Sequence, residues 1–526
     1  MTTNKVRPVQ DLFTEIEPLN QTRLPAGQIT GIKRDSREIK GGEIFVAVPG
    51  TRVNGHRFIP QAVERGARLV VGSEPAVDYQ ELPVPYLQVE EAREALALLN
   101  AAWYGYPARS LTVIGVTGTD GKTTTVNFIY QILKTAGLAA GMVSTVKAVI
   151  GEDTLDTGFH VTTPEAADLQ RYLARMVEAG LTHVVIEATS HGLAQKRVWG
   201  CEFDIGVVTN ITHEHLDYHG SYRDYLEAKA SLFTLVARSR RKPQGVKKLA
   251  VLNRDDQVYP ELEKWIKDRK LRAVTYGQQS PRAELRAGKV REDDRGVDYE
   301  LEGGERKVTI RSPLGGLYNV SNSLAALAAC HLGLGIKLDT AREGIASLER
   351  IPGRMEAIDL GQDFTAIVDF AHTPNALRSA LSSVQEKTDG RVIAVFGSAG
   401  LRDRAKRRLM AEISAQLADL TVLTAEDPRT EDLDEILAEM AAGAVSRGGV
   451  EGETFWRVPD RGEAIRTGLR LASAGDVVMV CGKGHEQSMC FGETEYAWDD
   501  RTALRAALAQ HLGKPGPAMP YLPTQD

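Results

Sequence analysis

The chain has 526 residues, a formal net charge of -6, and 42% hydrophobic and 25% charged residues. That length divides into about three domains of ~100–200 residues, and the composition is that of a globular protein with apolar material for sizeable cores. The mild negative charge excludes a global field for nucleic acid, and no run of ~18 apolar residues offers a membrane-spanning helix or membrane insertion.

The first residues, MTTNKVRPVQDLF, lack the apolar core of a signal peptide. Cys201, Cys330, Cys481 and Cys490 lie far apart with no CxxC pair. They read as reduced, buried thiols of a cytoplasmic protein. Residues 1–107 read as a small α/β module, with strand-like runs at 44–48, 68–71 and 86–89. Asp35, Ser36 and Arg37 precede the first run, and the polar stretch PGTRVNGH (49–56) follows it. Gly105-Tyr106-Pro107 reads as a linker, because proline disfavours helix in the residue before it.

Residues 108–350 are led by LTVIGVTGTDGKTTT (111–125). The apolar run predicts a buried parallel strand, Thr117–Gly121 a glycine-rich turn, and the periodicity of Val126, Phe128, Ile129, Ile132 and Leu133 a helix. Such a junction cradles phosphate with backbone N–H groups and the helix dipole. Lys122 would reach the outer phosphates and Thr123 would hold Mg²⁺. Five residues separate Gly115 from Gly121 where the usual loop has four, so this is a variant.

Two further strands are predicted at 182–186 and 203–208, ending at Glu187 and at Thr209-Asn210. In open α/β sheets ligands bind beyond such ends. Five of the eleven histidines lie between His183 and His219. The cluster THEHLDYH (212–219) fits a zinc site, a polar loop, or a Mg²⁺ site that serves a nucleotide; the phosphate loop upstream favours the last, with Glu187 and one histidine as ligands. The basic run RSRRKPQGVKK (238–248) reads as a solvated loop. Asn319 and Asn322 share one helix face, a possible purine-edge contact.

Ile351–Arg354 reads as a second linker, and residues 351–526 as a doubly wound domain. Its strands, at 364–368, 392–396, 420–423 and 476–481, each end in a polar or glycine-rich loop. The turn GSAG (397–400) lacks the third glycine of a dinucleotide site, which discounts NAD.

Across all three segments the chain resembles the Mur ligase family of cytoplasmic, ATP-dependent amide-bond synthetases. The motifs are DSR (35–37), GVTGTDGKTTT (115–125), TTP (162–164), EATSHGL (187–193), NITHEHLDYHG (210–220), YLEAKASLF (225–233), LYNVSNSLAA (317–326), PGRME (352–356), DFAHTPNAL (369–377) and GKGHE (482–486). The resemblance is strongest to members that add the third residue to a peptidoglycan precursor.

It implies an α/β fold of three domains: uridine-binding, P-loop ATPase-like and Rossmann-like. The implied reaction uses ATP and Mg²⁺ to activate the carboxylate of UDP-N-acetylmuramoyl-L-alanyl-D-glutamate as an acyl phosphate, which a diamino acid then attacks. By motif match, Thr117, Gly118, Thr119, Asp120, Gly121, Lys122 and Thr123 hold ATP, as do Asn319, Arg354, Asp369 and His372. Thr123, Glu187, His215 and Lys229 form the metal shell, with Lys229 carbamylated, and Lys122, Glu187, His215 and Lys229 serve catalysis. Ser36, Thr51, Arg52, Val53, Thr162, Thr163, Thr189, Gln195 and Arg197 match contacts to the nucleotide-sugar peptide. Arg402, Arg429, Gly482 and Glu486 match the grip on the incoming amino acid.

Departures from the family pattern fall near that grip. Glu426-Asp427-Pro428-Arg429 replaces the Asp-Asn-Pro-Arg of the diaminopimelate-adding members, and Leu401 stands where an aspartate is common. Diaminopimelate, lysine and ornithine all stay open. The alternatives are a folylpolyglutamate- or cyanophycin-type ligase and a non-catalytic paralogue. A monomer whose third domain swings closed over ATP is expected.

Overall fold

A computed structural model describes residues 6–50, 53–155, 163–212, 216–293, 295–303 and 307–525. The first sheet is four parallel strands, β1 (Ile32–Lys33), β2 (Ile44–Ala47), β3 (Leu69–Gly72) and β4 (Tyr86–Gln88), in that order. Helix α1 (Ala92–Trp103) packs on it, burying Ala92, Ala95, Leu99 and Ala102 with Val46, Leu69 and Val71.

The central sheet has eleven strands. β5 (Thr112–Thr117) is buried at every position, and α2 (Lys122–Thr135) follows it directly. Next come β6 (Ala140–Val143), β7 (Ala148–Ile150), β8 (Asp153–Leu155), α3 (Ala166–Glu178), β9 (His183–Glu187), β10 (Ile205–Val208), α4 (Tyr222–Arg238), β11 (Leu249–Asn253) and β12 (Arg272–Gly277). β13 (Leu285–Asp293), β14 (Gly296–Glu302), β15 (Val308–Ser312) and α5 (Tyr318–Leu327) complete it. The spatial order is β8-β7-β6-β9-β5-β10-β11-β12-β13-β14-β15.

Alternation along the strands supplies both faces of this sheet. Ile114, Val116, Val185 and Val207 pack against Val126, Ile129 and Leu324 of α2 and α5. Val113, Val184 and Ile186 pack against Leu169, Leu173 and Leu232 of α3 and α4. The antiparallel extension β13–β15 was not anticipated from the sequence. Its strands alternate buried and exposed residues, a weaker signal than the continuous apolar run of β5.

The stretch expected to be a solvated basic loop is corrected in part. It is irregular, but Lys242 is buried, and its Nζ donates to Asp204 Oδ2 at 2.7 Å and to Leu111 O at 2.9 Å. Lys248 reaches Asp204 Oδ1 at 2.8 Å, and the same carboxylate accepts the Val113 N–H. One aspartate that needed partners at the head of β10 draws two lysines inward.

The third sheet is β16 (Glu356–Ala357), β17 (Thr365–Asp369), β18 (Val392–Phe396), β19 (Leu420–Leu423), β20 (Phe455–Arg457) and β21 (Val477–Cys481), ordered β16-β17-β21-β18-β19-β20. Helices α6 (Pro374–Gln385) and α7 (Ala405–Leu417) cover one face through Leu377, Leu381 and Met410. α8 (Arg461–Leu471) and α9 (Asp500–His511) cover the other through Ile465, Leu469, Leu504 and Leu508. Arg461 and Asp500 form a fully buried ion pair between α8 and α9, with Nη2–Oδ2 at 2.7 Å. The four cysteines are buried and free. Among the described residues no helix is long and apolar enough to cross a membrane.

Candidate active site

Parallel register brings the expected site residues of the central sheet to one rim. Glu187 pairs with Val116 and Val208 with Thr117, so β9 and β10 end beside the glycine loop that leaves β5. The loop turns on Gly118 (φ 153°) and Gly121 (φ 79°). A Cβ at Gly118 would lie 1.9 Å from Thr209 Oγ1, and one at Gly121 2.1 Å from Asn322 Oδ1. Only glycine fits either place.

Asn210 ties the loop down. Its carbonyl accepts Thr119 N at 2.7 Å and its Oδ1 accepts Asp120 N at 2.9 Å. This residue was placed on the rim by sequence reasoning but given no role; its position directly after an apolar strand was the available signal. α2 starts with no side-chain cap, which leaves its first N–H groups and its dipole for an anion. Lys122 Nζ folds back to donate to Thr119 O at 2.8 Å.

Thr123 and Glu187 meet. Thr123 Oγ1 donates to Glu187 Oε2 at 3.0 Å, and the hydroxyl and N–H of Thr145 donate to the same carboxylate at 2.8 and 3.1 Å. A hydroxyl and a buried carboxylate beside a phosphate loop are the hard oxygen donors that Mg²⁺ takes. Lys229, 2% exposed, donates from Nζ to Gly118 O and lies 4.6 Å over the Tyr225 ring. The structure thus brings Lys122, Thr123, Glu187 and Lys229 together. His213 and His215 lie outside the described residues, as do Thr51, Arg52 and Thr162.

A cavity of about 530 Å³ opens between the central and third sheets. Asp120, Gly121, Tyr318, Asn319, Asn322, Arg354 and Asp369 line it. Asn319 Oδ1 accepts from Asn322 Nδ2 at 2.9 Å. Asp369 caps the turn at its rim, accepting Met355 N and Ala371 N at 2.7 and 2.8 Å, while burial lifts its carboxyl above the usual range. Arg354 reaches across to Thr123 Oγ1 at 3.3 Å and lies 4.3 Å over the Phe370 ring. His372 is not part of the cavity lining; its Nδ1–H donates to Phe370 O at 2.8 Å, and burial holds it well below its usual pKa.

Thr163, Thr189, Gln195 and Arg197 form a second group. Thr163 Oγ1 and Thr189 Oγ1 are 3.0 Å apart, and Arg197 donates to Thr163 O at 2.9 Å and to Gln195 Oε1 at 2.6 Å. Glu165 bridges Arg197 at 3.2 Å and Arg34 of the first module at 2.8 Å. Ser36 is buried against Gln61, whereas Val53 is exposed.

The rim of the third sheet holds the remaining residues. Arg429 (φ 54°) donates to Gly400 O at 2.6 Å. Lys483, fully buried, pairs with both Asp427 oxygens at 3.0 Å and with Glu486 Oε2 at 2.5 Å. Glu426 packs against Gly482, and burial pushes its carboxyl up to about 7 despite Lys406, Arg461 and Lys483 nearby. Arg402 is exposed, on the loop before α7.

A glycine-rich phosphate loop at one sheet's rim thus faces the rim of a second sheet across the cavity. The Mur ligase middle domain matches residues 116–330, the Mur ligase glutamate ligase domain 353–484, and the Mur ligase family catalytic domain 28–104. The chain is 44% identical to the UDP-N-acetylmuramyl-tripeptide synthetase of Roseiflexus sp. (strain RS-1), over 92% of this chain and 95% of that one. It is 40% identical to the UDP-N-acetylmuramoyl-L-alanyl-D-glutamate--2,6-diaminopimelate ligase of Geobacillus thermodenitrificans (strain NG80-2), with the same coverage. A solved diaminopimelate ligase structure superposes with a TM-score of 0.65 at 30% identity, covering 96% of this chain and 99% of the other. The chain belongs to the Mur ligase family, whose members are ATP- and Mg²⁺-dependent amide-bond ligases of peptidoglycan precursor synthesis.

Proposed function

We propose that this chain adds a diamino acid, the third peptide residue, to UDP-N-acetylmuramoyl-L-alanyl-D-glutamate in the cytoplasm. The observation that carries this reading is the third rim, where Asp427 links Arg429, at 3.9 Å, to the buried Lys483–Glu486 pair. A zwitterion with a second ammonium group complements that pair. The names of the similar proteins agree with it.

The family motifs imply the residue roles. Lys122 and the N–H groups at the start of α2 hold the outer phosphates. Thr123 and Glu187, with His215 and a carbamylated Lys229, hold Mg²⁺, which lowers the repulsion between phosphate and carboxylate. Asn319, Arg354 and Asp369, which line the cavity, hold the nucleoside; His372, tied to the Phe370 carbonyl outside that lining, supports them. Ser36, Thr51, Arg52, Val53, Thr162, Thr163, Thr189, Gln195 and Arg197 orient the nucleotide-sugar peptide. Arg402, Arg429, Gly482 and Glu486 receive the amino acid.

The test is phosphate release with ATP, Mg²⁺ and the nucleotide-sugar dipeptide, offering meso-diaminopimelate, L-lysine and L-ornithine separately. Turnover with one of them is expected. Silence with all three would overturn the reading and favour a non-catalytic paralogue.

A further inference from the structure

The roles above leave the buried imidazole of His485 unused. His485 lies between Lys483 and Glu486 in sequence and is 6% exposed. Neither ring nitrogen has a hydrogen-bond partner among the described residues. Buried polar atoms are nearly always paired, so two orphaned nitrogens on one ring call for a partner that arrives from outside the fold.

Its surroundings say what kind of partner. The ring centroid is 4.8 Å from that of Phe370, which is itself 4.4 Å from His372 and carries the Arg354 guanidinium. Arg354 in turn touches Thr123 of the phosphate loop. The His485 backbone nitrogen packs where a Cβ on Gly353 would stand, only 2.3 Å away, so the linker and the histidine segment are in close contact. The imidazole therefore sits where the nucleotide side and the amino-acid side join. The charged and titratable groups that face it are Arg354, Arg501, Lys483 and the neutral His372; burial first, then the three cations, hold the ring neutral. A neutral imidazole keeps one N–H to donate. Lys483 and Arg501 are already paired with carboxylates, so the Arg354 guanidinium beside the ring is what makes the N–H suited to an anionic acceptor.

We propose that His485 is a further catalytic residue of the ligase reaction, donating an N–H to an anionic oxygen of the substrate's phosphorylated carboxyl group. The inference rests on the ligase reading. The histidine makes and breaks no covalent bond and keeps its proton throughout; it stabilises charge on the oxygen while the amine adds.

The test compares His485→Phe, His485→Gln and His485→Asn with the wild type in the phosphate-release assay. Phenylalanine keeps a ring in the space and removes both nitrogens; the amides restore an N–H at different reach. Expected for His485→Phe is a fall in kcat of about 10²-fold, with KM for ATP, dipeptide and amino acid changed by less than about threefold. At least one amide variant should recover about tenfold of that loss, and its kcat should follow pH as the wild type does from 6.5 to 9.

A phenylalanine variant within about threefold of wild-type kcat would overturn the proposal, as would a loss confined to KM. Melting curves identify a variant that folds poorly. In that case the two amides decide: if neither retains more than about a thirtieth of wild-type kcat while melting normally, the donor role fails. A wild type that turns over none of the amino acids would instead overturn the ligase reading.

Discussion

Lys122 is the least replaceable cation of the phosphate loop. Its amine lies against Thr119 O, and in the proposed reaction it supplies the charge that two approaching anions require. Lys122→Met should lower kcat by about 10²–10³-fold in the phosphate-release assay while the melting temperature holds; activity within a few-fold of wild type would remove it from the mechanism. Glu426 contributes a pH dependence of its own. Its native pKa near 7 stands above the unfolded value, so the native state binds more protons than the unfolded chain between those limits. The stability this provides is complete below the unfolded pKa and is lost as pH rises through 7, a change of roughly 3 kcal/mol. Glu426→Gln removes the titration. Melting curves from pH 5 to 8 should show the variant gaining on wild type as pH rises, and a constant gap would refute the assignment.

Among elements, the strand–loop–helix unit of β5 and α2 is legible in the sequence alone, because an apolar run, glycines and GKT each report a local constraint. Gly118 is its tightest point. Gly118→Ala would drive a Cβ into Thr209 Oγ1, and calorimetry should find ATP affinity lowered by at least about tenfold, even where the fold survives. The strand ends at Glu187, Asn210, Asp369 and Gly482 were legible for the same local reason. What the sequence did not disclose depends on partners distant along the chain. Asp204 with Lys242 and Lys248, and Arg461 with Asp500, are pairings that no spacing rule predicts. Asp500→Asn strands a buried guanidinium and should cost about 3–5 kcal/mol, read from denaturant unfolding. A loss under 1 kcal/mol would mean that water reaches the pair.

Over the whole molecule, two parallel sheets present their carboxyl edges to one cavity, and the direct bridge from Arg354 to Thr123 crosses it. Ligands that fill that space from both sides should draw the sheets together. Small-angle scattering should record a smaller radius of gyration with ATP analogue and nucleotide-sugar dipeptide both present, and an unchanged envelope would count against closure.

The buried lysines also bear on how the chain meets a protease. Residues 238–248 hold six of its basic side chains and would invite tryptic cleavage if they ran free. Lys242 is sealed against Asp204 and Leu111 O, and Lys248 is clasped by the other oxygen of that aspartate. A protease needs an extended, detachable backbone on both sides of the bond it cuts. Lys242 and Lys248 pin both ends of the exposed turn 243–247, so nicking within it should quicken once the head of β10 comes apart.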